Sequence, residues 1–169
     1  MARPDFIKNL RDVPVTGGCY AGDDEPMTDG HAVGKAVGLT AMGIHVELLA
    51  PGRRTSWPHA EEQEEEFVLV LEGHPSAWID GVIYALEPGD AVGFPAGTGI
   101  AHTFINDTDV LCKLVVVGER KEKNRIRYPF HPTGSATMAP ERVWTDAPIH
   151  PLGDHDGVPA KRRAEVAAR

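Results

Sequence analysis

Four side chains in the middle of the chain have the types and the spacing of a metal site. Residues 51–73 carry His59, Glu61 and Glu66, and residues 88–106 carry His102 behind a glycine-rich run. Imidazole nitrogens and carboxylate oxygens are common ligands of divalent transition metals. If the two stretches belong to one β-barrel, these side chains can meet inside it. The sequence therefore predicts a metal site of His59, Glu61, Glu66 and His102, with Fe, Mn, Ni or Zn all open as the ion.

Local pattern supports two of these positions. His59 and Glu61 lie two residues apart, so they share a face if residues 53–61 are an extended strand. Glu66 immediately precedes residues 67–71, which are apolar at every position. A strand that is apolar on both faces is typical of a strand buried on both faces. We therefore expect Glu66 to enter the interior, where an ionised carboxylate needs a cation or several hydrogen-bond donors.

A purely structural interpretation of the same residues is the alternative. Five of the six residues 61–66 are glutamates, and such a run is usually a solvated surface. In that case the glycines and Pro95 shape turns, His102 bonds within the core, and the glutamates face water. Neither His59 on a polar strand nor Glu66 at the head of an apolar one is explained by folding alone.

The order of these residues resembles the two-part signature of the cupin superfamily. The matching positions are Gly52, His59, Glu61, Glu66 and Gly73, followed by Gly89, Pro95, Gly97, His102 and Asn106. The chain departs from the signature by one extra residue before His59, by Glu61 where a second histidine is usual, and by two extra residues between Gly97 and His102. Over about residues 6–159 it is similar to small single-domain cupins of uncharacterised function, some of them labelled sugar-phosphate isomerases. The resemblance implies a double-stranded β-helix and a metal site.

Turns and alternation predict the same fold class from the residues themselves. About eight short strands fit between Leu39 and Val117, separated by turn signals such as Asp80-Gly81, with no helical period among them. We expect an all-β jelly-roll barrel over residues 39–118. Residues 1–38 would form an N-terminal arm, and residues 119–169 a C-terminal extension packed on the barrel, with the last ten residues frayed.

For one predicted strand, residues 39–49, the sequence does not determine which face points into the barrel. Ile44, Val46 and Leu48 alternate with His45 and Glu47. A solvated polar face is the favoured interpretation of His45 and Glu47. The alternative is that both side chains line the mouth of the barrel.

Composition limits the partners. The chain has 169 residues, 41% of them hydrophobic, a formal charge of −8 and a pI near 5.4. Nucleic acid and anionic membranes are bound through basic surfaces, so a small molecule is the expected ligand. Two distant cysteines indicate no disulfide framework, and the start has no signal-peptide pattern, so we expect a cytoplasmic protein. The apolar strand 67–71 would also need a cover on its outer side, which favours a homodimer.

Two functions fit these predictions. In the first, the chain is a metal-dependent enzyme of the oxygenase, isomerase or lyase type acting on a small polar molecule, with Glu61 or His45 as general base. In the second, it is a non-catalytic protein that binds or senses a small molecule through the same ion. A titratable group that lies beside the ion without binding it would favour the enzyme.

Overall fold

The computed structural model describes residues 3–168, which form eleven strands and two helices. The strands are β1 (Val15–Thr16), β2 (Asp29–His31), β3 (Met42–Leu49), β4 (Ala60–Glu61), β5 (Glu66–Glu72), β6 (Ser76–Ile79), β7 (Val82–Ala85), β8 (Ala91–Phe94), β9 (His102–Ile105), β10 (Cys112–Glu119) and β11 (Ile126–Arg127). The helices are α1 (Val33–Ala36) and α2 (Ala160–Ala167). Strands β3 to β10 fill the segment predicted to be the barrel, and the all-β prediction is confirmed.

Two antiparallel sheets enclose the main core. The larger sheet has the order β1-β2-β3-β10-β5-β8, and the smaller one has the order β7-β6-β9. Leu49, Val68, Val70 and Leu114 come from the larger sheet, and Phe104 from the smaller one, and all five are at most 2% exposed. Burying apolar side chains between two sheets in this way is the main stabilising contribution to such a fold.

The polar face of β3 points into the barrel, so the favoured interpretation of a solvated face was wrong. The register pairs His45 with Val116 and Glu47 with Leu114, and these residues share the inner face with the fully buried Leu49. Ile44 and Val46 lie on the opposite face of the sheet. The alternation predicted correctly which residues of β3 share a face. It did not predict that the face with His45 and Glu47 lines the barrel mouth.

The outer face of β5 is open, which corrects the prediction that this strand is buried on both faces. Val68 and Val70 are buried, whereas Phe67 and Leu71 on the other side are 43% and 42% exposed. On this side of the larger sheet, α1 of the arm packs against β3 beside Ile44, and Phe67 and Leu71 are left uncovered. The strand predicted at residues 53–61 is also shorter than expected, since only Ala60–Glu61 is a strand and residues 53–59 contribute isolated bridges.

Both terminal segments are fastened to the barrel by specific bonds. In the arm, Glu25 is 8% exposed and accepts hydrogen bonds from the buried guanidinium of Arg54 at 2.9 and 2.5 Å. In the extension, the amide of Gly153 donates to the carbonyl of Asp80 at 2.8 Å. Gly81 faces Gly153 with a φ of 89°, and a Cβ there would lie 2.3 Å from the Gly153 nitrogen, so this contact requires glycine.

The end of the chain forms the short helix α2, in the region predicted to fray. Its Arg162 is 7% exposed and lies 3.5 Å from a carboxylate oxygen of Asp24 in the arm. Residues 1, 2 and 169, which belong to the predicted terminal segments, lie outside the described residues. Between residues 3 and 168, no helix has the length and the apolar character needed to span a membrane.

Candidate metal centre

Three of the four predicted ligands converge in the structure. His59 lies just before β4, Glu66 begins β5 and His102 begins β9. One ligand atom of each lies within 4.8 Å of the others, and Glu66 Oε1 is 3.3 Å from His102 Nε2. Two of the three positions are set by backbone pairing, because His59 and His102 exchange N–H to O=C hydrogen bonds at 3.1 and 2.9 Å. Side chains from three separate segments therefore face one point.

Neighbouring groups hold both imidazoles in place. The ring nitrogen Nδ1 of His59 donates to the Trp57 carbonyl at 3.0 Å, which leaves Nε2 free. The ring of Phe94 stacks on His102, with centroids 3.5 Å apart and planes within 5°. An imidazole whose second nitrogen is bonded to a carbonyl is oriented as metal-binding histidines usually are.

The charge state of the cluster suits a cation. Burial, together with the charge that His102 can carry, lowers the pKa of His59 to about 4, so this imidazole is neutral at pH 7. Burial by itself would raise the pKa of Glu66, but the hydrogen bond and the charge of His102, with those of His59 and His45, lower it below its ordinary value. A neutral imidazole and an ionised carboxylate are the protonation states that a divalent ion requires.

Glu61 lies in the wall of the same cavity, and the structure does not place it in this group of ligand atoms. Its strand β4 pairs with β11, and its carboxyl group is hydrogen-bonded to the Asn124 side chain. Burial first, and then the negative charges of Glu64 and Glu66, raise the pKa of Glu61 to about 8. The two-residue spacing from His59 therefore places Glu61 in the wall of the cavity, but outside the group of ligand atoms.

In the same cavity wall, His45 and Glu47 form a second pair of titratable groups. His45 Nδ1 lies 3.7 Å from Glu47 Oε1, and the Glu47 side chain is 14% exposed. Burial, with the charge of Arg120, lowers the pKa of His45. Burial also raises the pKa of Glu47 to about 7. Glu47 was not among the predicted site residues, although the alternation along β3 placed it on the face of His45.

His59 and Glu66 of the cluster share a cavity of about 390 Å³ with the His45 and Glu47 pair. Its lining includes Tyr20 from the arm and Tyr128 from the extension, and burial raises the pKa of both phenols. Neither tyrosine was predicted as a site residue, because no local pattern connects the two ends of the chain to the barrel. Tyr20 stacks on Trp57 with centroids 4.0 Å apart, so the terminal segments close this side of the cavity.

Comparison with known proteins agrees with the geometry. Residues 45–118 match the cupin domain family. The barrel of this chain has the cupin fold. The predicted resemblance is thereby confirmed, and it covers the segment that supplies His59, Glu66 and His102. No curated protein matches the chain significantly.

Several solved cupin structures are similar to this one. A protein of Acidithiobacillus ferrooxidans, named as a candidate sugar phosphate isomerase, is 27% identical with a TM-score of 0.70, over 76% of this chain and 83% of that one. A sugar phosphate isomerase of the cupin superfamily from Silicibacter pomeroyi is 29% identical with a TM-score of 0.63, over 71% of this chain and 79% of that one. A polyketide cyclase from Streptomyces resistomycificus, 21% identical with a TM-score of 0.58 over 84% and 96% of the chains, shares the fold.

Proposed function

We propose that this protein is a metal-dependent enzyme of the isomerase type, which moves a proton next to the carbonyl group of a small hydroxycarbonyl compound. The observation that carries the proposal is one cavity with two kinds of group. It is lined by His59 and Glu66 of the ligand cluster and by the titratable side chains of Glu61 and His45, which are not part of that cluster. A purely binding protein has no need of the second kind.

The donor set fits a divalent transition metal. Two imidazole nitrogens and one carboxylate oxygen leave coordination positions for a substrate, as in open catalytic sites. His59, Glu66 and His102 would hold the ion, and Fe, Mn, Ni and Zn are all compatible with these donors. When bound, the ion would polarise a substrate carbonyl and stabilise negative charge on its oxygen.

The remaining groups of the cavity divide the other tasks. An acid and a base on different sides of a bound molecule can remove a proton at one carbon and return it at the next. Glu61 Oε atoms on one side and His45 Nε2 on the other are the candidates for these two positions. The buried phenols of Tyr20 and Tyr128 limit the access of water to the same space.

The hydroxycarbonyl class is supported by the names of two similar proteins. Both are described as sugar phosphate isomerases or candidates for that activity, and both are more than a quarter identical to this chain. A sugar in its open form has the carbonyl and the adjacent hydroxyl group that the proposed proton transfer requires. The cupin fold by itself hosts many chemistries and does not select among them.

Exchange of substrate hydrogen with solvent tests the proposal directly. The protein is loaded in turn with Mn, Fe(II), Ni and Zn and incubated in D₂O with ketoses and aldoses of three to six carbons, and deuterium at the carbon beside the carbonyl is followed by NMR. We expect exchange with at least one metal, and a loss of about 100-fold or more in Glu61→Gln and His45→Gln. Metal content is measured in every sample, so that a loss of exchange is separated from a loss of the ion.

Glu72→Gln is the matched control, because Glu72 lies on the outside of β5 and pairs with Lys113 at 2.9 Å. It should exchange hydrogen at the wild-type rate. A loaded wild-type protein that binds the sugars and exchanges none of their hydrogen would overturn the enzyme proposal in favour of a binding or sensing protein.

A further inference from the structure

A second cavity of about 320 Å³ adjoins the first, between the arm and the larger sheet. We call it the arm cavity. It shares Tyr20, His45, Glu47 and Thr55 with the cavity of the ligand cluster. Its other lining residues are Thr16, Gly17, Gly18, Cys19, Met27, Thr28 and Gly30. The two spaces therefore meet along the His45 and Glu47 pair, and one molecule longer than the first cavity can extend into the second.

Carboxyl side chains outnumber lysine and arginine in the described lining of both cavities. The first cavity is lined by five carboxylates, which are Glu47, Glu61, Glu64, Glu66 and Glu119. Among its described lining residues the one permanent cation is Arg120, which is exposed at the rim. In the arm cavity, the described lining contains Glu47 and no lysine or arginine. Apart from Arg120 and a bound divalent ion, the described lining offers an anion no permanent positive charge.

This lining opposes a phosphate ester. A phosphate monoester carries a charge of about −1.5 to −2 at pH 7 and is normally bound by arginine, lysine or a set of backbone N–H groups. Like charges held in a poorly solvated cavity repel each other strongly.

The same lining favours uncharged hydroxyl groups, which carry no negative charge for the carboxylates to repel. Carboxyl oxygens accept hydrogen bonds from hydroxyl groups, and so can the threonine hydroxyls of the arm cavity, of which those of Thr16 and Thr28 donate their own protons to backbone carbonyls. Thr16, Thr28 and Thr55 supply such groups around Glu47. The arm cavity is thus suited to the polar, uncharged end of a molecule whose other end reaches the ligand cluster.

We infer that the substrate is an unphosphorylated polyhydroxy carbonyl compound whose distal hydroxyl groups occupy the arm cavity and bond to Glu47. The inference rests on the proposed function only in taking His59, Glu66 and His102 as the place where the carbonyl end binds. Glu47 is then the residue that selects a hydroxyl group over a phosphate group at the distal end.

Cys19 provides a readout of this binding that does not depend on turnover. It is exposed and lines the arm cavity, whereas Cys112, the other cysteine, is buried. Alkylation by limiting iodoacetamide therefore reports on the arm cavity, and Cys19→Ser shows the background. The probes are D-fructose, D-fructose 6-phosphate and the shorter dihydroxyacetone, each added to the metal-loaded protein, with affinities measured by calorimetry.

We expect fructose to bind at least about tenfold more tightly than fructose 6-phosphate and to slow the alkylation of Cys19 about fivefold at saturation. Dihydroxyacetone should bind without protecting Cys19, since it is too short to leave the first cavity. At pH 8, where the Glu47 carboxyl group is ionised, Glu47→Gln should weaken fructose binding about fivefold and narrow the advantage of fructose over fructose 6-phosphate, because a neutral amide no longer repels the anion. Glu72→Gln, on the outer face, should change neither affinity.

Three results would overturn the inference: no binding of fructose, equal or tighter binding of fructose 6-phosphate, or fructose binding that leaves Cys19 fully reactive. Failure of the proposed function gives a different pattern. Fructose bound with the expected protection but without hydrogen exchange supports the substrate class and counts against catalysis. Faster hydrogen exchange in fructose 6-phosphate than in fructose supports catalysis and overturns the substrate class.

Discussion

The two faces of the larger sheet reverse the usual distribution of polar and apolar residues. Its inner face carries His45, Glu47 and Glu66 toward the barrel mouth. Its outer face carries Met42, Phe67 and Leu71, which are 41%, 43% and 42% exposed. In a sheet that only supports a fold, the polar face would be the solvated one. We propose from this contrast that each face has a partner beyond the chain itself, an ion and ligand inside and a second copy of the chain outside.

The largest expected effect is on the inner face, where the ligands lie. His102→Ala and Glu66→Gln should each lower metal affinity by about 100-fold or more, because each removes a ligand from a set of three. Titration with Mn and Zn, with folding checked by circular dichroism, measures this. His74→Ala, which changes an exposed loop histidine, is the control and should bind metal like the wild type. Wild-type stoichiometry and affinity in the two ligand variants would show that the cluster is not the metal site.

The sequence predicted this cluster and the barrel around it for physical reasons. Glycine and proline mark turns whatever the function, and Glu66 at the head of an apolar strand has no explanation in folding alone. The orientation of β3 could not be predicted, since a period of two is equally satisfied with either face inward. Tyr20 and Tyr128 come from terminal segments that reach the barrel only through long-range contacts such as the bond between Arg54 and Glu25. No local pattern encodes those contacts.

A pH effect should follow from Glu47 on the inner face. Its pKa is raised from 4.5 to about 7 in the folded protein, so the folded state keeps a proton that the unfolded state releases. Its contribution to the stability of the metal-free protein is full below pH 4.5 and is lost as the pH rises through 7. Glu47→Gln removes this loss. We therefore expect the variant to exceed the wild type in free energy of unfolding by about 3 kcal/mol at pH 8, and this gap to fall below about 1 kcal/mol at pH 5.

Urea unfolding of both metal-free proteins at the two pH values measures this difference. Glu61 titrates in the same direction, with a pKa of about 8, so the relevant quantity is the difference between variant and wild type. Glu72→Gln serves again as the outer-face control, with an expected pH dependence equal to that of the wild type. A constant gap between Glu47→Gln and wild type from pH 5 to 8 would mean that Glu47 is solvated in solution.

The outer face yields the next prediction, since we propose that it joins two copies of the chain. Phe67, Leu71 and Met42 form an exposed apolar surface that a second copy would cover. Phe67→Glu should weaken the dimer about tenfold, because a charge would be buried at its centre. Sedimentation at tens of micromolar measures the association. Tyr84→Glu is the control, since Tyr84 is 50% exposed on the smaller sheet, and a wild type that sediments as one 18.3 kDa chain would contradict the proposal.

The smallest expected effect concerns Glu61, which separates a three-ligand site from a four-ligand site. Its carboxyl group lies in the cavity wall outside the ligand cluster, so Glu61→Gln should lower Mn affinity only about two- to fivefold, through the lost negative charge. Glu66→Gln should cost far more, because it removes a ligand. If Glu61 instead binds the ion, Glu61→Gln would weaken Mn at least about tenfold, and Glu61→His would shift preference from Mn toward Ni or Zn, which favour nitrogen ligands. Competition titrations with Mn, Fe(II), Ni and Zn on the three variants distinguish the two cases. A small, metal-independent change would assign Glu61 to the substrate side of the cavity, where the proposed proton transfer requires it.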